Sequence, residues 1–395
     1  MSKTRSTRNI VHLKRLIWII ISLIIAIFLL IRFLNNNNAN NLQVILQNLP
    51  KEISQSINTV SSKQKSDQEI LQKFEKLTKQ LKKSQEDQTR QFERQRKILE
   101  KKIQELKPPL SDATIREKLT YQFPYDPIEK FPAFIWQTWS NDIKLEQLME
   151  IKDIWDSQNP GFVHEILNDD ISEALIHHYY SKVPEVIKAY NYLPSRILKI
   201  DFFKYLILLA RGGIYADVDT KPLQPVPNWI PEAVVPSKIG LIIGIEHDAK
   251  KPDWRSNFVR RLQFGTWIIQ SKPGHPILRE MVAVITEETL KENEDSLNIN
   301  VRNDLDIMSW TGSGVWTDVI FKYFNDYMKS GINGKVTWKK FHNMILPRLI
   351  SDVLIFPEFS FKAPLEFDKT DMKRNLYLVH HEGAKFWKAA PTVEN

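Results

Sequence analysis

With 395 residues and 42% hydrophobic side chains, the chain can fill one catalytic-size domain of about 250–280 residues and carry extensions besides. The net charge of +8 is unevenly placed: residues 1–107 hold twelve net positive charges and the remainder four net negative, which excludes a basic nucleic-acid-binding domain. No cysteine is present, so the fold relies on its core, and no Asn-x-Ser/Thr sequon offers an N-glycosylation site.

Residues 16–31 form an apolar run interrupted only by Ser22, and Phe33-Leu34 extends it past Arg32. With a snorkelling arginine, residues 16–34 reach across a thin early-secretory bilayer. Lys3, Arg5, Arg8, Lys14 and Arg15 precede the run, which places residues 1–15 in the cytosol. A cleavable signal peptide is the alternative. The long basic lead and the lack of a small-x-small cleavage site favour a retained anchor, and hence a single-pass type II membrane protein. Residues 35–118 read as a lumenal stem. Within it, residues 63–107 lack Gly and Pro, and Phe74, Leu81, Phe92, Leu99 and Leu106 recur at spacings of 7, 11, 7 and 7. Heptads with one eleven-residue step predict a coiled coil containing a stutter. The alternative is a single solvated helix, which would gain nothing from a sustained apolar seam. Pro108-Pro109 end the segment.

Residues 119–395 read as an α/β domain. A strand at 133–136 runs into Gln137-Thr138-Trp139, exposing hydrogen-bonding groups where an α/β sheet places a nucleotide. Residues 151–165 predict a helix, a turn at Asn159-Pro160-Gly161 and a strand. Residues 172–192 predict a helix broken at Pro184, on which His177 and His178 point apart.

Residues 197–221 are the most informative. Apolar residues cover almost the whole helical circumference from 197 to 210, the mark of an interior helix, yet Asp201 and Lys204 share one face of it. Gly212-Gly213 supplies the helix stop. Ile214, Ala216 and Val218 then alternate with Tyr215, Asp217 and Asp219, which predicts a strand with both aspartates on one face and a stop at Pro222. Surface turns produce Asp-x-Asp by chance. Here the pair closes a strand, at the edge where α/β sheets hold ligands, and a divalent cation would relieve its repulsion. A phosphatase of the Asp-x-Asp-x-Thr type is excluded, because Thr220 comes one place too early.

Further on, residues 241–245 predict a strand ending at Glu246-His247-Asp248, tip acids read as solvated loop charges, with acceptor contacts as the alternative. Residues 264–270 read as strand and loop, and His275 as a turn residue. Thr311-Gly312-Ser313-Gly314 predicts a flexible loop whose amides and hydroxyls approach a phosphate or sugar. Residues 353–356 and 376–380 are late strands, the second leading to His381.

Asp201-Phe202-Phe203-Lys204 followed by Gly212–Thr220 resembles the core of the DXD-containing glycosyltransferases of the fungal Golgi initiating α-1,6-mannosyltransferase type, and the likeness extends from about 131 to 387. The resemblance implies a GT-A-like, Rossmann-type nucleotide-sugar-binding domain in a retaining transferase. Its donor would be GDP-mannose, its acceptor the mannan outer chain of N-glycans, and its place the Golgi membrane. It carries Gln137, Thr138, Tyr215, Gly312 and Ser313 over as donor contacts, and Asp217, Asp219 and His381 as the Mn²⁺ site. Asp201 and Lys204 are carried over as holders of the donor sugar and leaving phosphate. It further implies partner subunits of a mannan polymerase complex, met through stem and lumenal domain. The family's Ala-Gly-Ser before Trp387 is replaced by Ala384-Lys385-Phe386, a loop that closes on the diphosphate in the family. The competing expectation is an architectural subunit of such a complex with weak or no turnover.

The anchor predicts that protease added to intact vesicles leaves residues 131–395 protected. A 63–107 peptide that sediments as a monomer, alone and with every co-purifying partner, would refute the coiled coil.

Overall fold

The computed structural model describes residues 112–139, 145–291, 299–301, 303–368 and 370–383, with scattered helical positions between 76 and 99. The expected anchor at 16–34, most of the expected coiled coil, and the loop at 384–386 lie outside the described residues. Among the described residues, no helix is long and apolar enough to cross a membrane. The chain divides into two units, Met1–Arg90 and Gln91–Asn395. In the first, residues 83–90 are helical and exposed.

The second unit is built on one mixed sheet. Its strands are β1 (Phe134–Thr138), β2 (Val163–Leu167), β3 (Gly213–Ala216), β5 (Leu241–Asp248), β6 (Leu262–Phe264), β7 (Ile268–Ser271), β8 (Arg348–Ile350) and β9 (Val353–Phe356). They run in the order β2-β1-β3-β7-β5-β9-β8, with β6 paired to β5. β1 is parallel to β2 and β3, and β5 is parallel to β9. β7 is antiparallel to both its neighbours, while β6 and β8 are antiparallel additions to β5 and β9. A separate antiparallel ribbon joins β4 (Thr220–Pro222) to β10 (Val379–His381).

Strand alternation sorts the core onto two faces. Trp136, Tyr215, Ile243 and Ile245 pack with the helices α5 (Arg196–Arg211), α6 (Pro276–Lys291) and α8 (Ser313–Asn325). Ile135, Ile214, Ala216 and Ile242 face the other way, against Trp155 of α2 (Leu145–Gln158), Trp229 and Phe361. The expected interior helix is α5, buried from Asp201 to Leu209. Its exit needs glycine twice: Gly212 and Gly213 have φ of 64° and 94°, and a Cβ on Gly213 would lie 2.7 Å from Phe134 O.

Four expectations are corrected here. β3 ends at Ala216, so neither aspartate lies in it; residues 218–219 form a turn, and Pro222 closes β4 instead of ending the predicted strand. The alternation fails because Thr220 N donates to Asp217 O at 3.1 Å and folds the chain back. β5 continues through Asp248, whose carboxylate receives Asn343 N at 2.6 Å and lies 2.8 Å from His342 Nδ1, so it is no solvated loop charge. The Thr-Gly-Ser-Gly segment is no flexible loop: α7 (Asp304–Trp310) ends at Thr311-Gly312 and α8 begins at Ser313. The last strand is Val379–His381, because residues Arg374–Leu376 form a 3₁₀ turn.

The helix α1 (Ile115–Gln122) spans the expected stem–domain border at 118/119, and its Thr114-Glu117 capping box fixes its start. Arg116 joins it to α6 through a two-bond fork on Glu280, at 2.9 and 3.0 Å. Lys322 reaches the same carboxylate at 2.7 Å. Burial opposes the charge of Glu280, but Arg116 and Lys322 outweigh it and hold its pKa at about 2. Glu280→Gln is therefore expected to cost about 2–4 kcal/mol at neutral pH, by leaving the cations half-satisfied. Because the folded pKa is depressed, this contribution is present above the ordinary glutamate range and is lost as pH falls toward 2. Melting curves of wild type and Glu280→Gln should converge on acidification; a constant gap would refute the coupling.

Candidate active site

The polar stripe of α5 lies in an apolar setting. Lys204 and Asp201 are 2% and 6% exposed, and Lys204 Nζ is 2.9 Å from Asp201 Oδ1 and 3.5 Å from Asp217 Oδ1. Burial alone would discharge the lysine, but the two carboxylates hold it above the ordinary lysine range. Its ammonium also sits over the Tyr215 ring, 5.1 Å from the centroid. Thr311 Oγ1 donates to Asp201 Oδ2 at 3.1 Å, and Tyr205 OH donates to Thr311 O at 3.0 Å. The helix junction therefore fixes the carboxylate.

The Asp217–Asp219 turn is held from three sides. Asp217 N donates to Trp267 O at 2.9 Å, and Glu382 N donates to Asp219 O at 3.0 Å. Gln137 Nε2 donates to Asp217 O at 3.3 Å, while its Oε1 lies 2.8 Å from His164 Nε2. The ribbon pairs His381 with Thr220, directly after the turn. His381 stacks on Trp267 with 4.7 Å between centroids and 17° between planes, and its Nε2 is 3.4 Å from Asp219 Oδ1. Asp217, Asp219 and His381 each offer a ligand atom within 4.8 Å of the others. Two carboxylates and an imidazole suit a divalent cation. Burial and the neighbouring Asp219 push the Asp217 carboxyl upward, against the pull of Lys204. A cation would remove that tension.

A cavity of about 290 Å³ is lined by Thr138, Ser172, Tyr190, Arg196 and Lys199 among others, and Thr138 links it to Tyr215. Among the described residues, Ser172 Oγ and Arg196 Nη2 are buried without a hydrogen-bond partner. Such orphaned groups are rare in a finished core and fit a ligand's polar edge.

Of the ten residues expected from sequence, Asp201, Lys204, Asp217, Asp219, Tyr215 and His381 converge here. Thr138 lines the cavity, with Oγ1 2.7 Å from Tyr215 OH. Gln137 is not exposed as expected: it is 0% exposed and supports the turn from behind. Gly312 is buried and its N–H donates to Ile307 O, and Ser313 Oγ is taken by Gln263 at 2.9 Å. Thr311, Trp267 and His164 were not singled out, and Glu246, expected as a solvated charge, instead meets Gln263. Thr311 lay inside a noted motif; Trp267 and His164 carry no signal, since their roles depend on which strands adjoin.

A paired carboxylate turn with a histidine, beside a buried Lys–Asp pair at the end of a mixed α/β sheet, is the arrangement of a DXD glycosyltransferase. Residues 146–236 match the family model described as "Glycosyltransferase sugar-binding region containing DXD motif". The chain is 56% identical to the Saccharomyces cerevisiae protein named "Putative glycosyltransferase HOC1", over 100% of both chains. It is 42% identical to the "Initiation-specific alpha-1,6-mannosyltransferase" of Candida albicans, over 70% of this chain and 77% of that one. The Schizosaccharomyces pombe protein of the same name is 41% identical, over 69% and 67%. The chain belongs to this family of DXD glycosyltransferases, and it is a glycosyltransferase.

The ligand set predicts that Asp219→Ala and His381→Ala each weaken Mn²⁺ binding roughly 10-fold or more, by calorimetry on the nucleotide-free protein. Because Asp217 is pushed above the ordinary aspartate range, affinity should start to fall with acid at a higher pH than free aspartates would give. Unchanged affinity in both variants would refute the site.

Proposed function

We propose that this chain is a retaining α-1,6-mannosyltransferase of the Golgi lumen, with a GT-A-like organisation, that moves mannose from GDP-mannose to mannan outer chains of N-glycans. The observation that carries the reading is the convergence of Asp217, Asp219 and His381 on one side of Lys204, with Asp201 on the other. The sugar and the linkage follow the initiation-specific α-1,6-mannosyltransferases this chain resembles.

Asp217, Asp219 and His381 would hold the divalent cation. When bound, such an ion neutralises charge that builds on a departing diphosphate. Lys204, positive and buried, adds a fixed charge that needs no reorganisation during the reaction. A lysine gives the phosphate a point charge and lacks arginine's fork. Asp201, pinned by Thr311, orients the donor sugar. The cavity beside Thr138 takes the nucleoside, with Ser172 Oγ and Arg196 Nη2 available to the base or ribose while Arg196 Nε stays on Asp169. The bond from the sugar's anomeric carbon to phosphate breaks and the bond to the acceptor oxygen forms on the same face. The acceptor's proton passes to the leaving diphosphate. Partner subunits of a mannan polymerase complex and a type II anchor complete the reading.

Asp219→Ala is expected to leave a folded chain that enters its complex and transfers no mannose. The measurement is α-1,6 linkage formation from GDP-mannose and Mn²⁺ by the purified complex, with each partner's own Asp-x-Asp disabled in turn. If the complex relying on this chain alone makes no linkage, and Asp219→Ala changes nothing in the otherwise intact complex, the chain is an architectural subunit.

A further inference from the structure

β5 changes register near its end. Ile245 pairs with Phe264 and His247 with Gln263, so Glu246 is the extra residue of a β-bulge. Bulges next to functional sites re-aim one side chain, and this one turns a carboxylate inward. Gln263, fully buried, dictates what that carboxylate meets. Its Oε1 accepts from Val259 N and Arg260 N, both at 2.7 Å, so its Nε2 must face the other way. There it lies 3.0 Å from Glu246 Oε2 and 2.9 Å from Ser313 Oγ. The Ser313 hydroxyl accepts from Gln263.

A neutral donor, the Gln263 amide, thus aims the carboxylate, and among the described residues it forms no ion pair. Lys362 and His381 act on it only electrostatically. An acid that serves the fold is given cations, as Glu280 is given Arg116 and Lys322. Glu246 is given none. In the strand order β1-β3-β7-β5, the cavity lies at β1, the cation cluster follows β3, and Glu246 stands two strands further on. Two strand spacings are roughly 10 Å, the span of one sugar ring and the hydroxyl beyond it.

We propose that Glu246 binds the acceptor. Its carboxylate accepts a hydrogen bond from a hydroxyl of the incoming sugar and holds that sugar against the donor. No bond forms to Glu246 and no proton leaves through it. The assignment rests on the transferase reading above and adds the residue that defines the acceptor side.

The test uses the full chain in its complex, with GDP-mannose, Mn²⁺ and an α-linked mannobiose acceptor. Glu246→Gln keeps the shape and removes the charge. It should raise the acceptor KM about ten-fold or more, lower kcat at saturating acceptor much less, and leave the calorimetric Kd for GDP-mannose within roughly two-fold. Glu246→Asp should fall between wild type and Glu246→Gln in acceptor KM, and it decides the matter if Glu246→Gln does not fold. An unchanged acceptor KM, or a donor Kd that weakens in parallel with it, overturns the assignment. A complex with every partner's Asp-x-Asp disabled that makes no linkage, together with an intact complex unaffected by Asp219→Ala, overturns the transferase reading instead.

Discussion

A cation buried inside an apolar helix is the constraint on which the rest of the structure depends. Lys204 is wrapped by α5's own hydrophobic neighbours and could not keep its charge there without Asp201 and Asp217. That requirement fixes distances between elements far apart in sequence. Asp201 comes from the same helix, one turn earlier, while Asp217 must be delivered by the turn after β3. The two glycines make that delivery possible. They end the helix and return the chain in two residues, pressed against β1 and Pro273 where a side chain would collide. The site is thus one compact hairpin of helix and strand whose charges must agree before its chemistry can begin.

The supports behind it are polar but silent. Gln137 and His164 brace the turn from the β1–β2 side, and Thr311 braces Asp201 from the α7–α8 junction. Gln263 performs the same office for Glu246. Each spends its hydrogen-bonding groups on backbone or on another support, so the carboxylates meet a fixed set of donors. Preorganisation of this kind lets electrostatic stabilisation act without reorientation at the moment of reaction.

Much of this was legible before any coordinates. The interior helix, the paired charges on its face, the glycine exit and the Asp-x-Asp pair are local patterns, and local patterns survive into the fold. What failed were inferences about ends. Period-2 alternation carried the predicted strand through Val218, but a single backbone bond from Thr220 to Asp217 turned the chain first. Glycines in the Thr-Gly-Ser-Gly stretch were read as freedom. Gly314 is small for the opposite reason: a Cβ there would lie 2.3 Å from Val259. Polar residues at a strand end were read as exposed, whereas Gln137 and Glu246 were drawn inward by partners from other strands. Adjacency of β1 to β2 and of β5 to β6 decides those cases, and no window of sequence contains it.

The ribbon that brings His381 to the aspartates has a bearing on how a divalent cation would enter and leave the proposed site. Three backbone pairings and the Lys221–Glu382 bridge at 2.7 Å hold β10 to β4, apart from the main sheet. So small a unit opens more easily than the core and forms its own local equilibrium. A cation that prefers the docked ribbon tightens it, and by the same free energy the docked ribbon raises the cation's affinity. Solvent access to the backbone of residues 379–381 then becomes a gauge of metal occupancy, legible in amide exchange rates without any view of the ion itself.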